Sequence, residues 1–343
     1  MDRRARRSRL VPFRILSAAG TLLVLCSLLL ASFSPAWAQE EDVSSTEGAL
    51  FLLLPVGARA VSLGRAMTAL EGGESVFWNP AGLATLAPSR LMLIRGDHAV
   101  GEATSVSLLS AHPGLGTLAA SYFLLDVGDQ DLTDDQGNVL GTVTVRNHLG
   151  VVSAATELVD GLNVGANFKI VRFQLSCRGL CPDAGTTATT YAVDVGVQYT
   201  PSPAAPLRLG AMVAHVGPRL QVLNAEQADP LPSRVRIAAA YDVIRGLLGR
   251  KDLGAWIAVE VQDRLREPGS LSLYLGSEFR AGDDGQLFLR AGYVVGDIDQ
   301  EEGARVGLGL QYERFELSIA KSLAVSTLTG ETEPVHVTFS ILF

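Results

Sequence analysis

From about Ser89 to its last residue, this chain repeats one pattern: apolar and polar residues alternate with a period of two. Tyr191, Val193, Val195, Val197 and Tyr199 interleave with Ala192, Asp194, Gly196, Gln198 and Thr200. Leu162, Val164, Ala166, Phe168 and Ile170 interleave with Asn163, Gly165, Asn167 and Lys169, and Val306 to Tyr312 repeats the pattern. A strand sends successive side chains to opposite faces, so each run has one apolar face and one polar or small face. Fourteen such runs lie near 89–95, 103–112, 116–126, 145–156, 162–172, 190–200, 207–216, 233–242, 255–263, 271–280, 286–295, 304–312, 314–322 and 334–343. Most are close to the ~9–11 residues with which a tilted strand crosses a bilayer. An even number fits a closed antiparallel barrel.

A soluble sandwich also alternates, with its apolar face inward. Three features favour the membrane. Aromatic residues sit toward strand ends on the apolar face: Tyr191, Tyr199, Tyr241, Tyr293, Tyr312 and Phe343. That is where interfacial girdles form. The other face is rich in Gly, Ser and Ala, yet it carries Lys169, Asp194, Arg236, Glu260, Glu278, Arg290, Arg305 and Glu316. Charges of both signs among small residues fit a lumen filled by ion pairs and water. The last run, Val335 to Phe343, alternates and ends on an aromatic residue. It resembles the C-terminal signature that bacterial outer-membrane barrels present to their assembly machinery, with Phe343 as the signal. The fold expected is therefore all-β: a transmembrane antiparallel barrel of about 14 strands, in contact with outer-membrane lipid. The 35 glycines and only 19% charged residues agree with that, and a net charge of −8 offers nucleic acid no electrostatic footprint.

The N-terminus points to export. Arg3, Arg4, Arg6, Arg7, Arg9 and Arg14 precede an apolar run from Ile15 to Phe33, and Ala36-Trp37-Ala38 fits a small-x-small cleavage site. Residues 1–38 then read as a signal peptide, with Gln39 as the mature N-terminus; an N-terminal membrane anchor is the other reading. Three segments follow: 1–38, a plug segment 39–88, and a barrel 89–343, in the outer membrane of a Gram-negative-type bacterium. Export leaves Cys177 and Cys181 in the mature chain, and in an oxidising compartment this close pair reads as a structural disulfide in an exposed loop. Two thiolates with no nearby His give zinc too few ligands.

Asp126–Gly141, Gln174–Thr189 and Gly217–Pro232 read as long polar loops, and Asp160-Gly161 as a short hairpin turn. Asp129, Asp131, Asp134 and Asp135 cluster in the first loop, but the sixth and twelfth positions counted from Asp129 are Asp134 and Leu140, where an EF-hand needs Gly and Glu. A solvated turn is the simpler reading, and a loosely held calcium is the alternative. The five histidines show no HxxxH or HExxH spacing, and no GxSxG elbow or Walker loop occurs. The chain is expected to be non-enzymatic and to need no cofactor.

One stretch does not alternate. Gly57–Ala84 is rich in small residues and reads as a helix over Ala58–Leu70, a Gly-Gly break, and a turn at Asn79-Pro80-Ala81-Gly82. Asn79 before a proline is restricted to extended conformations and favours an Asx-type turn. Arg59 and Arg65 lie on the otherwise small helix, so they are expected to pair with lumen carboxylates such as Asp194, Glu260 or Glu278. The segment is then a plug inside the barrel, with Arg59, Gly64, Arg65, Asn79, Pro80 and Ala81 as gate candidates. The alternative is a structural cap with no gating role.

These residues resemble the PorV/PorQ family of outer-membrane proteins, distant relatives of FadL-type transporters. The shared pattern is a GARAxxxGxA helix, here Gly57-Ala58-Arg59-Ala60, Gly64 and Ala66, followed by an NPAGL turn, Asn79 to Leu83. Weaker matches are Leu231-Pro232, Gly276-x-Glu278-Phe279 and Leu289-Arg290-Ala291-Gly292-Tyr293 within roughly residues 44–343. The chain departs from the family at Arg65, usually Gly, and Trp78, usually Tyr. The resemblance implies a fourteen-stranded barrel with an N-terminal plug. It also implies a role in protein secretion, as a type IX-like anchor or shuttle for secreted proteins or secretion-system components, or in outer-membrane transport. The alternative reading is a FadL-like channel for hydrophobic small molecules gated by the plug.

Overall fold

The computed structural model describes residues 47–98, 100–112, 114–181, 185–202, 205–248, 253–282, 285–296, 302–323 and 335–343. The expected signal peptide, 1–38, and the start of the expected plug segment lie outside the described residues. Fourteen strands follow the plug: β1 (Arg90–His98), β2 (Gly101–His112), β3 (Gly116–Thr133), β4 (Val139–Val159), β5 (Leu162–Gly179), β6 (Gly185–Tyr199) and β7 (Leu207–Val216), then β8 (Arg234–Asp242), β9 (Leu253–Arg264), β10 (Ser272–Ala281), β11 (Gly285–Val295), β12 (Gly303–Tyr312), β13 (Phe315–Ser322) and β14 (Val335–Leu342). Each pairs antiparallel with its sequence neighbours, and β1 pairs with β14 through Arg90↔Leu342 and Leu93↔Phe339 to close the barrel. A short helix, α1 (Ala58–Ser62), lies in the plug, and α2 (Val243–Leu248) joins β8 to β9. No helix of the described residues is long and apolar enough to cross a membrane.

The alternation sets the faces as its period requires. Along β6, Tyr191, Val195 and Tyr199 are 52%, 55% and 44% exposed, while Ala192, Asp194 and Gln198 between them are buried. Exposed large apolar side chains continue round the wall, among them Leu118, Val152, Ile237, Leu289, Leu308 and Ile319. A soluble monomer rarely shows an apolar patch above a few hundred Å². A closed barrel has no free edge within its wall and satisfies its backbone internally, so it can set such a surface against lipid. The outward aromatics form two levels. Tyr122 and Tyr191 share one register row, with Phe168 stacked on Tyr191 at 6.1 Å between ring centroids. Tyr199, Tyr241, Tyr312 and Phe315 are exposed toward the other end, where Phe343 follows β14 and donates its N–H to the Ser89 carbonyl at 2.9 Å. Tyr191 and Tyr199 lie eight residues apart on β6. That is about 26 Å along a strand, or about 20 Å after tilt, matching the apolar band of an outer-membrane barrel.

Two expected loops are largely strand. Pairing of β2 with β3 ends at Glu102↔Asp126 and that of β6 with β7 at Val193↔Val216. The four strands between continue to Thr133↔Val139, Gly141↔Gly179 and Ser176↔Gly185. Polarity marked Asp126–Gly141 and Gln174–Thr189 as loops, but polarity there reports solvent on both faces. The threonines and valines of Thr142–Val145 and the threonines of Thr186–Thr190 keep a strong strand preference. At the β3–β4 tip the chain turns: Asp134 accepts from the N–H groups of Gln136 and Asn138 at 3.0 and 2.8 Å and from the Asn138 side-chain amide at 2.9 Å. Those hydrogen bonds, the Asn138 side chain's first, hold its carboxyl below the usual carboxylate range. Cys177 and Cys181 are bridged at the end of β5. Gly217–Pro232 remains a loop, tied by reciprocal Leu220–Asp229 backbone bonds of 2.8 and 3.0 Å.

Candidate functional site

The described chain enters the lumen at the end where the long hairpins project and leaves it where β1 begins. Arg234, at the start of β8, holds Glu47 through two 2.7 Å bonds, and Gly48 N–H reaches the Pro230 carbonyl at 2.9 Å. A 3-10 turn, Leu50–Leu53, follows, then α1, then 3-10 turns at Gly73–Val76 and Pro80–Leu83. Almost every residue from Phe51 to Leu83 is buried.

The expected helix over Ala58–Leu70 is a single turn and a half. Gly64 and Arg65 both take left-handed φ, +56° and +70°, and Arg65 N–H closes back on the Ala60 carbonyl at 2.8 Å. That is a helix stop. The wall explains it: the position of a Gly64 Cβ is filled by backbone of Leu275 and Tyr293, and that of a Gly292 Cβ by backbone of Leu63 and Gly64. Two glycines meet so that plug backbone can lie directly on β11.

Arg59 is the main polar anchor. Its Nε and Nη2 donate to the two carboxylate oxygens of Glu278 on β10, each at 2.8 Å, and its Nη1 donates to the Glu71 carbonyl. Glu278 also accepts from Arg290 Nε at 2.6 Å, and Arg290 Nη1 donates to Ser318 at 3.0 Å. One carboxylate thus bridges a plug arginine and a wall arginine, the bidentate arrangement guanidinium geometry favours. The start of α1 is satisfied by Glu74, whose carboxylate accepts from Ala60 N–H at 2.8 Å and Arg59 N–H at 3.2 Å. Thr338 on β14 completes this knot, donating to Glu74 at 2.8 Å and accepting from Ala58 N–H at 2.9 Å.

The NPAGL turn is the second anchor. Asn79 is extended, at φ −118° and ψ 107°, and its side-chain Oδ1 accepts from Ala81 N–H at 3.1 Å. Its amide donates inward to Thr68 at 2.7 Å and outward to the Val197 carbonyl of β6 at 3.1 Å. Pro80 and Ala81 rest on Gly165 of β5. Gln198 bonds the Thr68 and Leu70 carbonyls, both at 3.0 Å.

The predicted lumen charges all face inward, but they sort into separate groups. Lys169 pairs with Asp194 at 2.6 Å, beside His215. Glu260 accepts from Thr68 N–H at 2.8 Å and lies 4.0 Å from Arg236, whose guanidinium stacks on Trp78. Glu316 pairs with Arg90 at 3.4 Å, and Arg305 is buried on β12. Of the pairings expected for the plug arginines, Arg59–Glu278 forms. The other two carboxylates named for the plug arginines lie beside wall cations, Asp194 at Lys169 and Glu260 at Arg236. Glu74, Thr338 and Gln198 escaped the sequence reading because nothing in a linear pattern says which lumen position a plug residue will meet. Glu74 had a signal of its own, a lone carboxylate just past a Gly-Gly break.

The lumen is asymmetric. Apart from Arg90 at the start of β1 and the Lys169–Asp194 pair on β5 and β6, the paired charges line β8 to β13, and the inner wall from β1 to β5 carries Met92, Ile94, Leu109, Phe123, Leu149 and Val171, with serines and asparagines between them. Phe51, Leu52, Val56, Val76 and Leu83 of the plug cover this strip. Two small cavities lie between plug and wall, of about 20 Å³ beside Lys169, His215 and Arg236 and about 10 Å³ beside His98 and His336.

No protein-family model matches the sequence, and no curated protein sequence matches it either. Solved structures do resemble it. The Pseudomonas putida toluene transporter TodX is 12% identical, covers 88% of this chain and 98% of its own, and superposes with a TM-score of 0.52. The deltaS2 mutant of the TodX monoaromatic hydrocarbon channel is 11% identical over 83% and 96%, with a TM-score of 0.54. A Pseudomonas aeruginosa FadL homologue is 11% identical over 84% and 97%, with a TM-score of 0.49. At such identity the shared property is the fold alone: a closed antiparallel fourteen-stranded barrel like those of outer-membrane proteins.

Proposed function

We propose that this chain is an outer-membrane channel for apolar small molecules, closed at rest by its own residues 47–88. The observation that carries this reading is the apolar strip along β1 to β5. A porin lumen is polar on its inner face. Here Leu109 and Met92 near one end and Phe123, Leu149 and Val171 toward the other make a path that an apolar solute could follow once Phe51, Leu52, Val76 and Leu83 move aside. The toluene transporter that shares the fold suggests the substrate class, an apolar hydrocarbon. The plug rests on backbone-to-glycine contacts and a few polar anchors, an arrangement that can release as a unit. Ala58→Cys with Thr338→Cys, in a Cys177→Ser/Cys181→Ser background, tests the gate. When oxidised, this variant should block toluene uptake into reconstituted vesicles, and reduction should restore it. Equal uptake in both states would remove the gate.

One observation favours the secretion role that PorV/PorQ resemblance suggests. Among the described residues, no strand pairs with β6 from Gly185 to Thr190 on the side facing β7, so the projecting hairpins present an open edge. An exported polypeptide could add a strand there. Trimming 127–139 and 174–188 should then release exported proteins from the cell surface while leaving toluene uptake intact; loss of uptake alone would leave only the channel.

A further inference from the structure

The outer wall carries a groove that the lumen-centred reading does not use. It measures about 550 Å³ and lies over β3 to β6, between Leu118, Ala154, Ala166 and Val195. Leu118 and Val195 face outward, 60% and 55% exposed, and between them in the same register row stand Ala154 and Ala166. Gly165 lines the groove although its Cα–H side faces the plug, where Pro80 and Ala81 rest on it. Backbone alone separates the groove from the NPAGL turn.

A second hollow of about 500 Å³ adjoins the first, sharing His112, Gly116 and Thr156, and runs to Ala84–Ser89 where the plug leaves the barrel. Both volumes lie in the range of ligand sites. The register fixes their depth. Val195 lies four residues inward of the girdle residue Tyr199 on β6. Glu157 is opposite Asn163, one residue from Leu162, which pairs with Tyr199. The apolar end therefore opens into the hydrocarbon band, and Glu157 stands at the level of the headgroups.

We propose that this double groove holds one phospholipid with an ammonium-bearing headgroup, phosphatidylethanolamine being the probe. Its acyl chain lies along Leu118, Ala154, Ala166 and Val195, continuous with the lipid-facing band. Its headgroup meets Glu157 and His112. Glu157 Oε1 accepts from Gly161 N–H at 2.8 Å, which fixes the carboxylate and leaves Oε2 for the ammonium. His112 Nδ1 is 3.3 Å from the Ser110 carbonyl, so Nε2 is turned away from that contact. Among the described residues, neither hollow is lined by Lys or Arg. A headgroup with phosphate but no ammonium would set its charge against Glu157 with no fixed cation beside it. The site does not depend on the transport reading.

Native mass spectrometry of the purified protein in micelles holding equimolar phosphatidylethanolamine and phosphatidylglycerol tests this. The wild type should retain the ethanolamine lipid with roughly fivefold preference, the scale of one partly exposed ion pair. Glu157→Gln, which keeps the bond from Gly161, should bring the two lipids to equal retention. Ala166→Phe, which fills the groove from the lipid side, should lower retention of both, with the heat-modified migration of the folded barrel unchanged. Equal retention by the wild type, an unchanged preference in Glu157→Gln, or lipid counts indifferent to Ala166→Phe would each overturn the proposal.

Discussion

Gly292→Val is expected to displace the plug while leaving the barrel folded. The side chain at 292 points into the lumen, and the space its Cβ needs is occupied by the backbone of Leu63 and Gly64. Backbone cannot rotate aside as a side chain would, so the plug must lift. Valine is a better strand former than glycine, which protects β11 itself. Overpacking of this kind costs about 1–3 kcal/mol, a shift of roughly 5- to 150-fold in the seated population. The measurements are single-channel conductance in planar bilayers and protease cleavage within 57–84. Openings should appear that the wild type lacks, together with new cleavage, while the heat-modified band persists. A variant as silent and as protected as the wild type would mean that this contact does not hold the plug.

Removing the carboxylate at the centre of the anchor should have the largest effect on stability. Glu278 accepts from both Arg59 and Arg290, and its side chain is 6% exposed. Glu278→Ala strips the carboxylate from one buried and one largely buried guanidinium, Arg290 and Arg59, with a cost of about 3–5 kcal/mol. Arg59→Ala leaves Glu278 still paired to Arg290 and should cost clearly less, although it frees the plug. Arg59→Ala in the Glu278→Ala background should recover part of the loss, because it removes one of the stranded charges. Urea unfolding from lipid vesicles would read all three, and the coupling follows from the double-mutant cycle. If Glu278→Ala and Arg59→Ala unfold at the same midpoint, the shared-carboxylate account fails.

Much of this was legible beforehand, and the reason differs by residue. Lys169, Asp194, Glu278 and Arg290 could be placed in the lumen because a period of two leaves only two faces and the other face was apolar. The seat of the plug was half legible. The Asn79-Pro80 turn announces its own geometry through local hydrogen bonding, and Asn79 is extended as a residue before proline should be. Helix length was not legible. Ala58–Leu70 has good local helix residues apart from Gly64, but the segment ends its helix at Ser62 because β10 and β11 press on it there. Local propensity gave way to tertiary packing. The projecting hairpins read as loops for a related reason. Once a strand leaves the bilayer both of its faces can be polar, and alternation no longer separates strand from loop.

The sequence by itself determined the barrel. Alternation, strand number and aromatic placement are properties of short windows, and a lipid-facing sheet has one closed solution that satisfies its backbone. What only the tertiary structure decided is which lumen residues meet the plug. Glu278 rather than Asp194 receives Arg59, Thr338 binds Glu74, and Gly292 faces Gly64 because strands far apart in sequence bring those positions to one height and one radius. Pairing of that kind depends on register and closure around the whole ring, which no local pattern encodes.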